Sequence, residues 1–68
     1  MRREDLARHI SVDPKVCFGR PVIRGTRIWV SLIVENLVEG VPEEELLRAY
    51  PQPTRDDLRA ALGFLAEA

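Results

Sequence analysis

The spacing of apolar positions changes near Val30 in this 68-residue chain, and the change divides it into two kinds of local structure. Before Val30, His9 to Val12 alternates polar and apolar, the period-two signature of a short half-buried strand. Asp13-Pro14 predicts a turn, because proline fixes its own φ and pushes the preceding residue out of the helical region. Val16 and Cys17 follow as small buried candidates, and Arg20 to Ile28 reads as two β-rich arms around Arg24-Gly25. Gly25 there supplies the positive φ of a tight turn. From Val30 the period lengthens: Val30, Ile33, Val34, Leu37 and Val38 share one helical face, and Gly40 stands where a left-handed cap is wanted. A second helix opens at Pro42, with Glu43 to Glu45 near its positive end and Leu46, Ala49 and Tyr50 inward, and Pro51 ends it. Thr54, with Asp57 three residues on, is a shortened capping box for a third helix, whose inward face is Leu58, Ala61, Leu62 and Leu65. The polar lead Met1 to Arg8 reads as a frayed helical turn.

These elements predict a mainly α, homeodomain-like three-helix helix-turn-helix with a short N-terminal β-hairpin. One domain is expected over 1–68: a lead at 1–8, a hairpin arm at 9–28 and a three-helix bundle at 29–68. The expected core is Ile33, Val34, Leu37, Leu46, Tyr50, Leu58, Leu62 and Leu65. The alternative is an α+β domain whose hairpin joins a sheet completed by a second subunit. A chain this short buries a thin core, so association is expected, with a homodimer through the hairpin edges as the simplest form.

Composition sharpens the picture in two places. The chain is 46% hydrophobic and 31% charged, which fits a folded domain and excludes a wholly disordered one. Its apolar runs are too short for a membrane span or signal peptide, and a single cysteine forms no internal disulfide, so a cytoplasmic protein without membrane contact is expected. The net charge of -1 conceals an asymmetry: residues 1 to 27 carry +4 and residues 28 to 68 carry -5. The basic end attracts phosphate or an acidic protein surface.

Candidate chemistry follows from that asymmetry. Arg20, Arg24 and Arg27 fall within one turn, where forked guanidinium groups clamp phosphates or carboxylates. Arg55 and Arg59 on the third helix point toward a major groove if that helix reads DNA, but Asp56 and Asp57 put negative charge beside the phosphates. Trp29, Leu32 and Phe64 fall outside the inward stripes, which makes them partner-contact candidates. Catalysis finds no support: His9 and Cys17 are single residues of their kind, without a third zinc ligand or an orienting group. Glu43 to Glu45 are consecutive and point in different directions on a helix. Gly19 and Gly25 lack the flanks of a phosphate cradle, and no catalytic residue, metal or cofactor is assigned.

The run from Asp13 to Ile28, with its Cys17, Gly19, Arg20-Pro21-Val22-Ile23-Arg24-Gly25-Thr26-Arg27 core, is followed by Val38-Glu39-Gly40, Glu44-Glu45-Leu46 and Tyr50-Pro51. Together these segments resemble the domain of unknown function 433 family across nearly the whole chain. The resemblance implies a homeodomain-like fold and, as for many members, an antitoxin that neutralises a PIN-like ribonuclease toxin and binds its own operator. A stand-alone helix-turn-helix regulator of transcription is the alternative. Three positions depart from the family pattern: Phe18 replaces a residue that is usually glycine, Trp29 stands where proline is common, and Val41 occupies the place of a serine N-cap before Pro42.

Overall fold

The computed structural model of the chain describes residues 3–67, so Met1 and Arg2 of the expected lead, and Ala68, lie outside the described residues. Four helices and two short strands follow in the order α1 (Arg3–His9), β1 (Ile10–Ser11), β2 (Val22–Ile23), α2 (Val30–Val38), α3 (Glu43–Ala49) and α4 (Arg55–Glu67). The protein is thus mainly helical, with a two-stranded antiparallel sheet in which Ile10 faces Ile23 and Ser11 faces Val22.

In its described part, from Arg3, the lead is a packed helix and not a frayed turn. Acidic Glu4 and Asp5 open α1, and Arg8 and His9 close it, each charge matching the helix dipole. Leu6 is its buried anchor, and a Cβ added at Gly63 of α4 would lie only 3.1 Å from the Leu6 Cδ2 methyl. Glycine inside a helix costs about 0.5 to 1 kcal/mol relative to alanine, and at position 63 its missing side chain is what lets α1 lie against α4.

The sheet also differs from the expected hairpin. The first strand pairs with Val22–Ile23, while the turn at Arg24-Gly25 closes a separate bridge between Val22 and Trp29. The Ile23 N–H donates to the Ile28 carbonyl, and the Thr26 hydroxyl donates to the Ile23 carbonyl. Nor does this region stand off as an arm: Ile10 and Ile23 are members of the same core cluster as the helices.

Both expected helix signals around Gly40 and Thr54 are met. At the end of α2 the Gly40 N–H donates to the Leu37 carbonyl and the Val41 N–H to the Asn36 carbonyl, with Gly40 at φ 93°, which is the Schellman pattern. At the start of α4 the Thr54 Oγ1 accepts from the Asp57 N–H while Asp57 Oδ2 accepts from the Thr54 N–H, a reciprocal box. The start of α3 is shifted by one residue from expectation: Pro42 itself is the N-cap, and no side chain caps it. Val41 packs instead against the core, and Glu43 to Glu45 supply negative charge to the uncapped turn.

The core joins Leu6, Ile10, Ile23, Val30, Ile33, Val34, Leu46, Leu58, Ala60 and Ala61, with Leu37 and Tyr50 packed partly buried against it. Two expected members are outside. Leu62 is 43% and Leu65 57% exposed, and Val38 of α2 is exposed as well. Positions along a helix rotate by about 100° per residue, so burying Leu58, Ala60 and Ala61 together turns Leu62 toward solvent. Alanines lead this face because α4 is contacted from two sides, by α1 and by α2. The same rotation brings Phe64, expected on the outer face, inward against the core. Val16 and Cys17 are half-buried at most.

Candidate functional site

The three clustered arginines do not converge. Arg24 turns back to the end of α1: its Nη2 donates to the carbonyls of Ala7 at 2.7 Å and Ile10 at 3.1 Å, and its backbone N–H donates to the His9 carbonyl at 2.7 Å. The last carbonyls of a helix lack partners within it, and a cation there matches the dipole, so Arg24 is a C-terminal clasp. Arg20 lies over the Trp29 ring, 4.5 Å from its centroid. Arg27 is exposed.

The base of α4 is similarly occupied. Arg55 approaches Glu43 and Glu44 of α3, each at 3.5 Å. Asp57 holds two partners, the Thr54 N–H on one oxygen and His9 Nδ1 on the other at 2.7 Å. His9 is therefore a bolt between α1 and α4. Arg59 remains exposed on α4.

The opposite situation holds at the turn Cys17 to Gly19. Cys17, Phe18 and Gly19 all have positive φ, at 51°, 59° and 78°. Left-handed backbone costs a non-glycine residue about 1 to 2 kcal/mol, and Phe18 adopts it while 95% exposed. An aromatic ring held in solvent on a strained backbone is the feature that sequence reasoning missed. Its signal was the departure noted in the sequence, where the family resemblance implies glycine and this chain has Phe18.

Beyond Arg20 lies an apolar cleft of about 440 Å³. Val30, Val34 and Glu35 of α2 form one wall, Phe64 and Leu65 of α4 the other, and Arg20-Pro21 the lip. Of the partner-contact candidates, Phe64 belongs to this wall, Trp29 stands behind the lip under Arg20, and Leu32 is half-buried elsewhere on α2. A second hollow of about 530 Å³ is bordered by Ser11, Val16, Thr26 and Arg27. Among the described residues no group of three or more His, Cys, Asp or Glu is placed to hold a metal ion, and no helix is long and apolar enough to cross a membrane.

Comparison with known proteins adds two findings. The family model described as "Protein of unknown function (DUF433)" matches residues 10–65. The crystal structure of a DUF433 member protein from Anabaena variabilis ATCC 29413 is similar at 32% sequence identity and a TM-score of 0.80, over 98% of this chain and 76% of that one. No curated protein matches.

Proposed function

The chain belongs to the DUF433 family of proteins of unknown function, and from that premise we propose that it is a non-catalytic protein-binding module, the antitoxin of a toxin-antitoxin pair. The toxin in this reading is the PIN-like ribonuclease that the sequence resemblance implies. The observation that carries protein contact is Phe18, an exposed aromatic on strained backbone one residue from the lip of an apolar cleft. Rigid aromatic side chains are the usual anchors of protein interfaces, and strain of this kind persists where function holds it.

The helices α2, α3 and α4 serve in this reading as a helix-turn-helix scaffold rather than a reader of bases. Arg55 is drawn to Glu43 and Glu44, and Asp56 stands exposed in the first turn of α4, the turn that would enter a groove. Negative charge there opposes contact with phosphates, which disfavours a stand-alone DNA-binding regulator and restricts operator binding to surfaces such as that around Arg27.

The test is the neighbouring reading frame followed by reconstitution: a PIN-like nuclease encoded there is expected, and its absence counts against the antitoxin reading. Co-purification and stoichiometric loss of RNA cleavage are expected, with both weakened by Phe18→Ala. A chain that neither associates with the nuclease nor slows it, yet shifts duplex DNA with a steep salt dependence, overturns the antitoxin reading in favour of the regulator.

A further inference from the structure

We infer that the hollow beside Arg27 is a binding site for a phosphate ester, the phosphate unit of a nucleotide or of a nucleic-acid strand. Separate segments meet around its space of about 530 Å³: Ser11 of β1, the turn Gly25 to Arg27, and Gln52 from the connection between α3 and α4. Each brings donors that the fold leaves unused. Among the described residues the side chains of Ser11, Arg27 and Gln52 have no hydrogen-bond or ion-pair partner, and the Gly25 and Arg27 N–H groups donate to no protein group. The Thr26 hydroxyl, by contrast, is engaged within the turn, donating to the Ile23 carbonyl and accepting from the Ile28 N–H. Gly25 holds φ at 80° and has no side chain to cover its amide. Of the three arginines that the sequence groups together, Arg20 lies over Trp29 and Arg24 clasps Ala7 and Ile10, so Arg27 is the one the fold leaves for a ligand.

Charge and shape select the ligand. No aspartate or glutamate lines the hollow, and Asp13, the acid nearest Ser11 in sequence, lies outside it and accepts from the Lys15 N–H. A site made of donors around a guanidinium, without a carboxylate, takes an anion. A carboxylate offers two oxygens in one plane, whereas a phosphate offers acceptor oxygens in several directions, which suits donors arriving from separate segments. Ligand sites run to about 300–1,000 Å³, so the hollow has room for a sugar beside the phosphate, with Val16 and Val22 as its apolar lining. In its nucleic-acid form the inference rests on the operator-binding side of the proposed function, and in its nucleotide form it is independent of it. Neither form uses Phe18.

Titration of the chain with inorganic phosphate at constant ionic strength, followed by nuclear magnetic resonance, tests the site. Saturable shifts are expected at the Arg27 Nε–H, the Gln52 side-chain amide and the Gly25 N–H, with much weaker ones from acetate. Arg27→Ala should lose about tenfold or more in phosphate affinity with its melting temperature unchanged, whereas Arg59→Ala should bind as wild type does. Adenosine monophosphate and a short DNA duplex then separate the sources. A nucleotide site binds the monophosphate more tightly than inorganic phosphate and ignores the duplex. A backbone site shifts with the duplex, and Arg27→Ala makes its logarithmic salt slope shallower by about one. Shifts that are absent or never saturate, acetate that matches phosphate, or full affinity in Arg27→Ala each overturn the inference. So does equal loss in Arg59→Ala, which would mean diffuse attraction, and so does binding of inorganic phosphate with no gain from either ester. Nuclease inhibition by Arg27→Ala should equal that of wild type, and its loss would assign Arg27 to the nuclease instead.

Discussion

The base of α4 and the turn at Phe18 are opposite solutions to placing costly groups. At the base of α4 Asp57 and Arg55 answer other groups of the same chain: Asp57 holds Thr54 and His9, and Arg55 faces Glu43 and Glu44. At the turn, a large apolar ring faces solvent on left-handed backbone and touches nothing that repays the strain. The first region is explained by folding alone. The second is not, and that difference is what the proposed partner contact accounts for.

The contrast is tested most severely at Leu58, which follows Asp57 and is wholly buried, against Leu62 one turn later. Leu58→Ala should cost about 2 to 5 kcal/mol, a large part of the stability of so small a domain. Leu62→Ala should change stability by less than about 0.5 kcal/mol. Urea denaturation of both variants decides which face of α4 is the core, and equal losses would restore the face expected from sequence. Next in size is Asp57→Ala, which removes a cap and the partner of His9 and should cost about 1 to 2 kcal/mol. His9→Ala should lose less, because the capping box survives it. A loss at His9 equal to that at Asp57 would make the α1 bolt, not the cap, the function of this carboxylate.

Arg24 is where the two regions were hardest to tell apart. Arg24→Ala should destabilise by about 1 kcal/mol, since the Ala7 carbonyl at the end of α1 and the Ile10 carbonyl of β1 lose a charged donor in a largely exposed setting. Arg24→Lys should recover part of this, and Arg27→Ala should leave the melting temperature unchanged. If Arg24→Ala is neutral, water satisfies those carbonyls and the arginine is free for a partner after all.

Local chemistry was legible in the sequence, and long-range contact was not. Gly40 and the Thr54 and Asp57 pair announce helix ends because the groups they satisfy lie within a few residues. The clasp of Arg24 on Ala7 and the seat of Leu6 against Gly63 depend on residues brought together only by folding, and α1 by itself shows one apolar anchor among charges. The register of α4 was misread for a related reason. Large leucines dominate a periodicity count, whereas Ala60 and Ala61 mark the buried face because neighbouring helices approach there. Phe18 carried a sequence signal, but its backbone conformation gave that signal its meaning.

The smallest expected effect is the one of opposite sign, and it concerns Phe18 as a matter of stability alone. Relief of left-handed strain by glycine is worth about 1 to 2 kcal/mol, while the freer unfolded chain that glycine creates takes back about 0.5 to 1 kcal/mol. The exposed ring adds little packing to the monomer, so Phe18→Gly should stabilise the fold by roughly 0.5 to 1 kcal/mol. Phe18→Ala isolates the backbone part, because alanine keeps the same φ penalty while lacking the ring. It should therefore be near neutral in the dilute monomer, with glycine above it in urea midpoint. A glycine variant that is less stable than both alanine and wild type would mean that the ring packs within its own chain. The turn would then resemble the base of α4, a piece of the fold, and Phe18 would cease to be a residue held for a partner.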